Sequence, residues 1–243
     1  MGYVRAGKAY ASYPILGYRA HYRRDYAVIK GLRRETFTMA QMSGKVTIPI
    51  LAYDDSYLDG EHVRGVVKDS YMDVMTLDSF RAEYMGRQWG VMPFFLPEFD
   101  AEHAQQVGPT RGLMALLMVY DVSPWPIWCN GKVVNLAFEA LDQFGYVDAE
   151  FIPYFDPTPP ATTQMPDVYV SAYKKPDGRV LLIISNLSKG DRQGVVTTNA
   201  TRLGTKLSTV TDWPGKQPLT VPNGNLVLEV PKLGYRMVAI GEA

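Results

Sequence analysis

Four acidic side chains stand where a carboxyl group can do chemistry. Asp54 and Asp55 follow the apolar run 47–53 (TIPILAY), Glu61 lies further along the same acidic loop, and Glu98 follows the apolar run 91–96 (VMPFFL). Paired carboxyl groups can divide acid–base work, one giving a proton while the other acts as base or nucleophile. Glu98 has the most telling setting. An acid placed directly after an apolar strand, between Pro97 and Phe99, is partly desolvated, and desolvation favours the protonated form that a general acid needs. Tyr53, Trp125 and Trp128 offer flat apolar faces for stacking, and Gln41 and Asn130 offer amide groups for hydrogen bonding. Ser43, Tyr57 and Trp89 extend that set.

Other chemistries find less support. His21, His62 and His103 are scattered without the spacing of a metal site, so no metal is expected. The single cysteine, Cys129, lies in an apolar run and reads as a buried small hydrophobe. Ser171 and Lys174 match S-x-x-K but fall on a strand rather than at a helix start. The sequence holds no phosphate-binding glycine loop, dinucleotide fingerprint or nucleophile elbow, so no cofactor is expected. Lys plus Arg and Asp plus Glu both number 25, and a chain without basic excess is not expected to bind nucleic acid. No apolar run reaches the roughly 18 residues of a membrane span. The opening MGYVRAGKAYAS lacks the apolar stretch of a signal peptide, which predicts a cytoplasmic setting.

The elements that must hold these groups change character near residue 160. Before it, helix and strand patterns alternate. Tyr18, Tyr22, Tyr26, Ile29 and Leu32 recur at helical spacing and predict a helix over 17–34. Strands are expected at 36–42, 47–53, 91–96 and 125–129, with a fifth at 151–155. Helices are expected at 79–89, capped by Asp78 or Ser79, and at 110–120 and 133–144. A doubly apolar strand such as VMPFFL belongs in a covered parallel sheet, which makes this region α/β. After residue 160, VYVSAY and VLLIIS flank Pro176-Asp177-Gly178 as a hairpin. Further strands at 195–199, 207–212, 219–221, 226–230 and 235–240 complete an antiparallel β-sandwich of about seven strands without a helix. The proline-rich stretch 156–163 reads as a linker, so two domains are expected, 1–160 and 161–243.

Two stretches carry a family resemblance. PILAYDDSYLDGEH, followed by LDSFRAEYMGRQWGVMPFFLPEF, resembles the last third of the catalytic barrel in bacterial glycoside hydrolases of the family 123-like group. SAYKKPDGRVLLIISNLSKGD, ending in GYRMVAI, resembles the C-terminal sandwich of such enzymes. The resemblance runs from about Tyr13 onward. It implies a TIM-type (β/α) barrel whose strand-end carboxyl groups hydrolyse O-glycosidic bonds of a carbohydrate without a cofactor. Glu98, paired with Asp54, Asp55 or Glu61, would then cut the bond, while Tyr53, Gln41, Trp125, Trp128 and Asn130 hold the sugar. A complete barrel takes about 250 residues. The roughly 155 residues ahead of the sandwich fit four or five βα units, a half barrel with its first strands missing. Two open parallel edges then predict a homo-oligomer and a cleft shared between subunits. The competing expectation is a non-catalytic carbohydrate-binding or scaffold remnant. An acyl hydrolase is disfavoured by the missing elbow.

Overall fold

The computed structural model describes residues 2–12, 14–42, 46–84, 90–205, 209–222 and 225–241. A hairpin of β1 (Gly2–Arg5) and β2 (Lys8–Ala11) leads into helix α1 (Ile15–Leu32). Then follow β3 (Met39–Gln41), the one-turn helix α2 (Ile48–Leu51), β4 (Ser56–Asp59), α3 (Leu77–Glu83), β5 (Met92–Phe95), α4 (Val107–Met118), β6 (Ser123–Pro124) and α5 (Gly131–Phe144). Strands β3, β4, β5 and β6 pair in chain order and all in parallel. Every crossover in this sheet steps the same way, as in a barrel, whereas a complete doubly wound sheet reverses its order midway. Among the described residues the outer strands β3 and β6 each pair on one side only.

Three expected strands move. Within Thr47–Tyr53, Ile48–Leu51 forms α2 instead, with Pro49 in its first turn, where a missing N–H costs nothing, and with Ile50 and Leu51 buried. The strand of that unit is the next segment, SYLD, read from sequence as loop; Ser56, Tyr57 and Asp59 are all buried there. Trp125–Cys129 lies beyond the end of the two-residue β6. The expected fifth strand is β7 (Glu150–Ile152), and it pairs antiparallel with a later strand rather than extending the parallel sheet. Helix α3 is capped by Thr76, whose Oγ1 accepts the Ser79 N–H at 3.1 Å, rather than by Asp78 or Ser79. The expected end of that helix, including Trp89, lies outside the described residues.

The remaining strands are β8 (Ala161–Thr163), β9 (Val168–Lys174), β10 (Val180–Asn186), β11 (Arg192–Thr198), β12 (Val210–Trp213), β13 (Gln217–Pro218), β14 (Leu226–Val230) and β15 (Gly234–Ile240). They form a six-stranded sheet, β13-β12-β15-β10-β9-β7, and a three-stranded sheet, β14-β11-β8, both antiparallel. The Asp177-Gly178 turn is present, with Gly178 at φ 92° and the Lys175 N–H on the Arg179 carbonyl at 2.8 Å. Three details differ from expectation. The last residues of the expected linker are β8, Leu219–Val221 follows β13 rather than forming a strand, and a helical turn, α6 (Ala200–Leu203), is capped by Asn199.

Strand β10 explains how the two regions join. Val180, Leu182 and Ile184 pack into the space between the two antiparallel sheets, with Val196, Leu228 and Val230. Leu181 and Ile183 point the other way and share a core with Leu113 and Leu117 of α4. An antiparallel strand commonly keeps one wet face; β10 has none, which is why VLLIIS is continuously apolar. Polar ties cross the same junction. Trp213 Nε1 donates to the Ala140 carbonyl at 2.7 Å, Ser171 Oγ to the Val119 carbonyl at 2.8 Å, and the Tyr173 hydroxyl to Asp121 Oδ1 at 2.7 Å. No described helix is long and apolar enough to cross a membrane.

Candidate active site

The site begins with a glycine. Leaving β4, Gly60 adopts φ 140°, and a Cβ there would lie 2.2 Å from the Leu96 carbonyl oxygen. Only a residue without a side chain lets the chain leaving β4 run this close to the chain leaving β5. The consequence is that Glu61 and Glu98 stand on neighbouring strand ends, at the C-terminal side of the parallel sheet, where barrel enzymes place their reactive groups.

Glu98 is clamped and only 3% exposed. Its N–H donates to the Tyr71 hydroxyl at 2.6 Å, and the Tyr71 ring is wedged edge-on between Phe95 and Phe99. Its carbonyl accepts the Gly65 N–H at 3.2 Å. The carboxyl group is held less tightly. Oε1 is buried without a hydrogen-bond partner among the described residues, and Oε2 lies 3.8 Å from Arg64 Nε. Burial pushes the Glu98 carboxyl above the usual carboxylate range; the Arg64 charge works against this, and the Glu61 charge adds to it.

Around Glu98 the strand ends converge. Gln41, the last residue of β3, donates through Nε2 to Glu61 Oε1 at 3.0 Å. Arg64, in the segment after β4, lies 5.5 Å over the Trp128 ring, which follows β6 and is half exposed. The Trp125 N–H donates to the Phe95 carbonyl at 2.7 Å, and its ring meets Phe94 edge-on. The four parallel strands thus contribute Gln41, Glu61 with Arg64, Glu98, and Trp125 with Trp128. Asp59, the buried last residue of β4, is a further acid beside them. Arg64 and Asp59 escape sequence reading. The first becomes relevant only once the Gly60 turn folds its loop back towards Glu98, and the second lies in a segment that reads as loop.

The other expected residues lie elsewhere. Asp54 and Asp55 precede β4, so the length of the strand, about 13 Å at 3.3 Å per residue, separates them from its C-terminal end. Their expected place rested on TIPILAY being a strand. Asp55 instead fastens α1: Lys30 Nζ reaches its Oδ2 at 2.9 Å, and Thr38 donates to the same oxygen from N and Oγ1 at 2.8 and 3.0 Å. Those bonds, the Lys30 contact first, hold Asp55 below the usual range. Asp54 beside it is pushed up to about 6 by burial and by the Asp55 charge. Tyr53 also serves α1, meeting Tyr26 edge-on and lying under Arg19. Asn130 caps α5; its Oδ1 accepts the Val133 N–H at 3.3 Å and its Nδ2 donates to the Gln105 carbonyl at 2.7 Å, so both ends of the amide are engaged. Tyr57 is buried and stacked on Tyr84. Ser43 and Trp89 lie outside the described residues. Burial drives the Cys129 thiol up to about 11, well away from a nucleophile.

No family model and no curated protein matches the sequence. Solved structures do match in fold. An α-amylase from Geobacillus thermoleovorans, complexed with acarbose, is similar at a TM-score of 0.58 and 11% identity over 92% of this chain and 57% of its own. The α-galactosidase I of Mortierella vinacea gives 0.56 and 12% over 96% of this chain and 65% of its own. A GH30 endoxylanase from Clostridium papyrosolvens gives 0.53 and 12% over 96% of this chain and 62% of its own. The chain therefore has a glycoside-hydrolase-like fold and spans about three fifths of the length of these structures. Identity at this level extends to the fold alone.

Proposed function

We propose that the strand-end cluster is a glycoside hydrolase site of the 123-like type, with Glu98 as proton donor and Glu61 as its partner. The observation that carries this reading is the Glu98 carboxyl group: buried, held protonated beyond the usual range, and with one oxygen unpartnered among the described residues. Glu98 would protonate the departing glycosidic oxygen as the bond from the anomeric carbon to it breaks. Glu61, aimed by Gln41, would attack that carbon or take a proton from the attacking water. Arg64 braces the ionised state of Glu98 that each turnover leaves behind, and Trp125 and Trp128 offer exposed ring faces for a sugar. The similar solved structures are named as an amylase, a galactosidase and an endoxylanase, which favours a carbohydrate substrate.

A panel of nitrophenyl glycosides set beside nitrophenyl esters tests the reading. Turnover of at least one glycoside, lowered more than about a hundredfold by Glu98→Gln, is the expected result. Binding of sugars without turnover would assign a carbohydrate-binding role instead, and ester turnover an acyl hydrolase. We also propose that copies associate through the edges of β3 and β6, each of which pairs on one side only among the described residues. Light scattering should give a mass above the 27.2 kDa of one chain; that mass alone, at micromolar concentration, would count against it.

A further inference from the structure

A cleft apart from that site lies at the junction of the parallel-sheet region and the antiparallel sheets. Its volume is about 430 Å³, the size of a small-molecule site. None of Gln41, Glu61, Arg64, Glu98 or Trp128 lines it. Three cations from three separate segments do: Arg111 of α4, Lys189 in the loop after β10, and Lys232 in the loop between β14 and β15. Among the described residues Asp69 is the one acid on its wall.

The seat of Arg111 is shaped for its guanidinium group. Gly234 opens β15 beside it, and a Cβ there would lie 3.2 Å from both Arg111 Nε and Pro231 Cγ. Nε itself is buried and has no hydrogen-bond partner among the described residues. Lys189 bridges Asp73 at 2.8 Å, which anchors its chain to the parallel-sheet region. Lys232 is exposed, and its backbone N–H is fixed on Asp191 Oδ1 at 2.8 Å. The N-terminal end of α4 adds to the field already set by these cations. Its cap residue, Gln106, makes no side-chain capping bond, and open space lies in front of Gly108.

We infer that this cleft binds a tetrahedral oxyanion, a phosphate or sulfate group, between Arg111, Lys189 and Lys232. Arg111 would supply planar paired donors and the lysines point charges, the usual division of labour on such anions. An anion so placed would link α4 to two loops of the antiparallel sheets.

Calorimetric titration of the whole chain with inorganic phosphate and, separately, inorganic sulfate, each against chloride at equal ionic strength, tests this. Saturable binding of either oxyanion, with Kd raised about tenfold by Lys232→Gln and more by Arg111→Gln, is expected. Lys232 is exposed, so its replacement keeps the fold even where loss of Arg111 does not. The preferred oxyanion identifies the ligand class. Heats no larger than with chloride, or an unchanged Kd in Lys232→Gln, would overturn the inference.

Discussion

Glu98 and Asp54 show how two carboxyl groups raised by burial come to differ in meaning. Both sit above the usual carboxylate range. Glu98 does so at the end of β5, among side chains from the other strand ends. Asp54 does so at the far end of β4, beside an Asp55 committed to Lys30 and Thr38. A general acid works while protonated, so activity should fall as pH rises through the Glu98 pKa. Arg64 holds that pKa down, and Arg64→Met should therefore carry the alkaline limb of the kcat/KM profile to higher pH. An unmoved limb would detach Arg64 from the acid. Asp54 makes a prediction about stability. Its folded pKa, about 6, exceeds the model-peptide 3.8, so its contribution is full below pH 3.8 and is lost as pH rises through 6. Asp54→Asn should thus stabilise the fold at pH 7 by about 1 kcal/mol, a figure discounted for partial exposure, and by almost nothing at pH 4. Thermal melts at the two pH values check this.

At the scale of elements, the Gly60 turn matters most. Alanine there meets the Leu96 carbonyl oxygen at 2.2 Å in a backbone region that side chains disfavour. Gly60→Ala should cost more than about 2 kcal/mol and also lower any turnover, because it drives apart the chains that carry Glu61 and Glu98. Denaturant midpoints and activity, measured together, should fall together. The same region shows what was legible in the sequence. The long helices α1, α4 and α5 and the strands β5, β9, β10 and β15 could be read from apolar periodicity and turn residues. The βα unit at 47–59 could not. A four-residue apolar run such as IPIL fits a strand or a helical turn equally well. The strand beside it, SYLD, ends in a buried Asp59 and so looks polar. That one exchange moved Asp54, Asp55 and Tyr53 away from the expected site, while Glu98, Glu61, Gln41, Trp125 and Trp128 came together. Asn130 caps α5, a role that its position ahead of an amphipathic helix already signals.

For the whole molecule, the continuous core is the main fact. Leu181, Ile183, Trp213 and Met237 of the six-stranded sheet belong to one apolar cluster with α4, α5 and the parallel strands. β7, which precedes residue 160, pairs with β9, which follows it. Cutting the chain at 160 should therefore expose the apolar faces of α4 and α5 and give an insoluble product. A soluble, folded 1–160 fragment would show that the junction contributes little. The cleft holding Arg111, Lys189 and Lys232 lies on this same junction, so an anion bound there would add to its cohesion.

Glu98, as the acid that protonates a leaving oxygen, is the centre of the proposed reaction. The most direct test compares Glu98→Gln with the wild type on two glycosides of one sugar. One carries a poor leaving group that needs a proton, and the other a dinitrophenolate that departs without one. With Glu98 as the acid, kcat/KM should fall by more than about a hundredfold on the first and by less than about tenfold on the second. Equal losses on both, or no loss on the first, would contradict it.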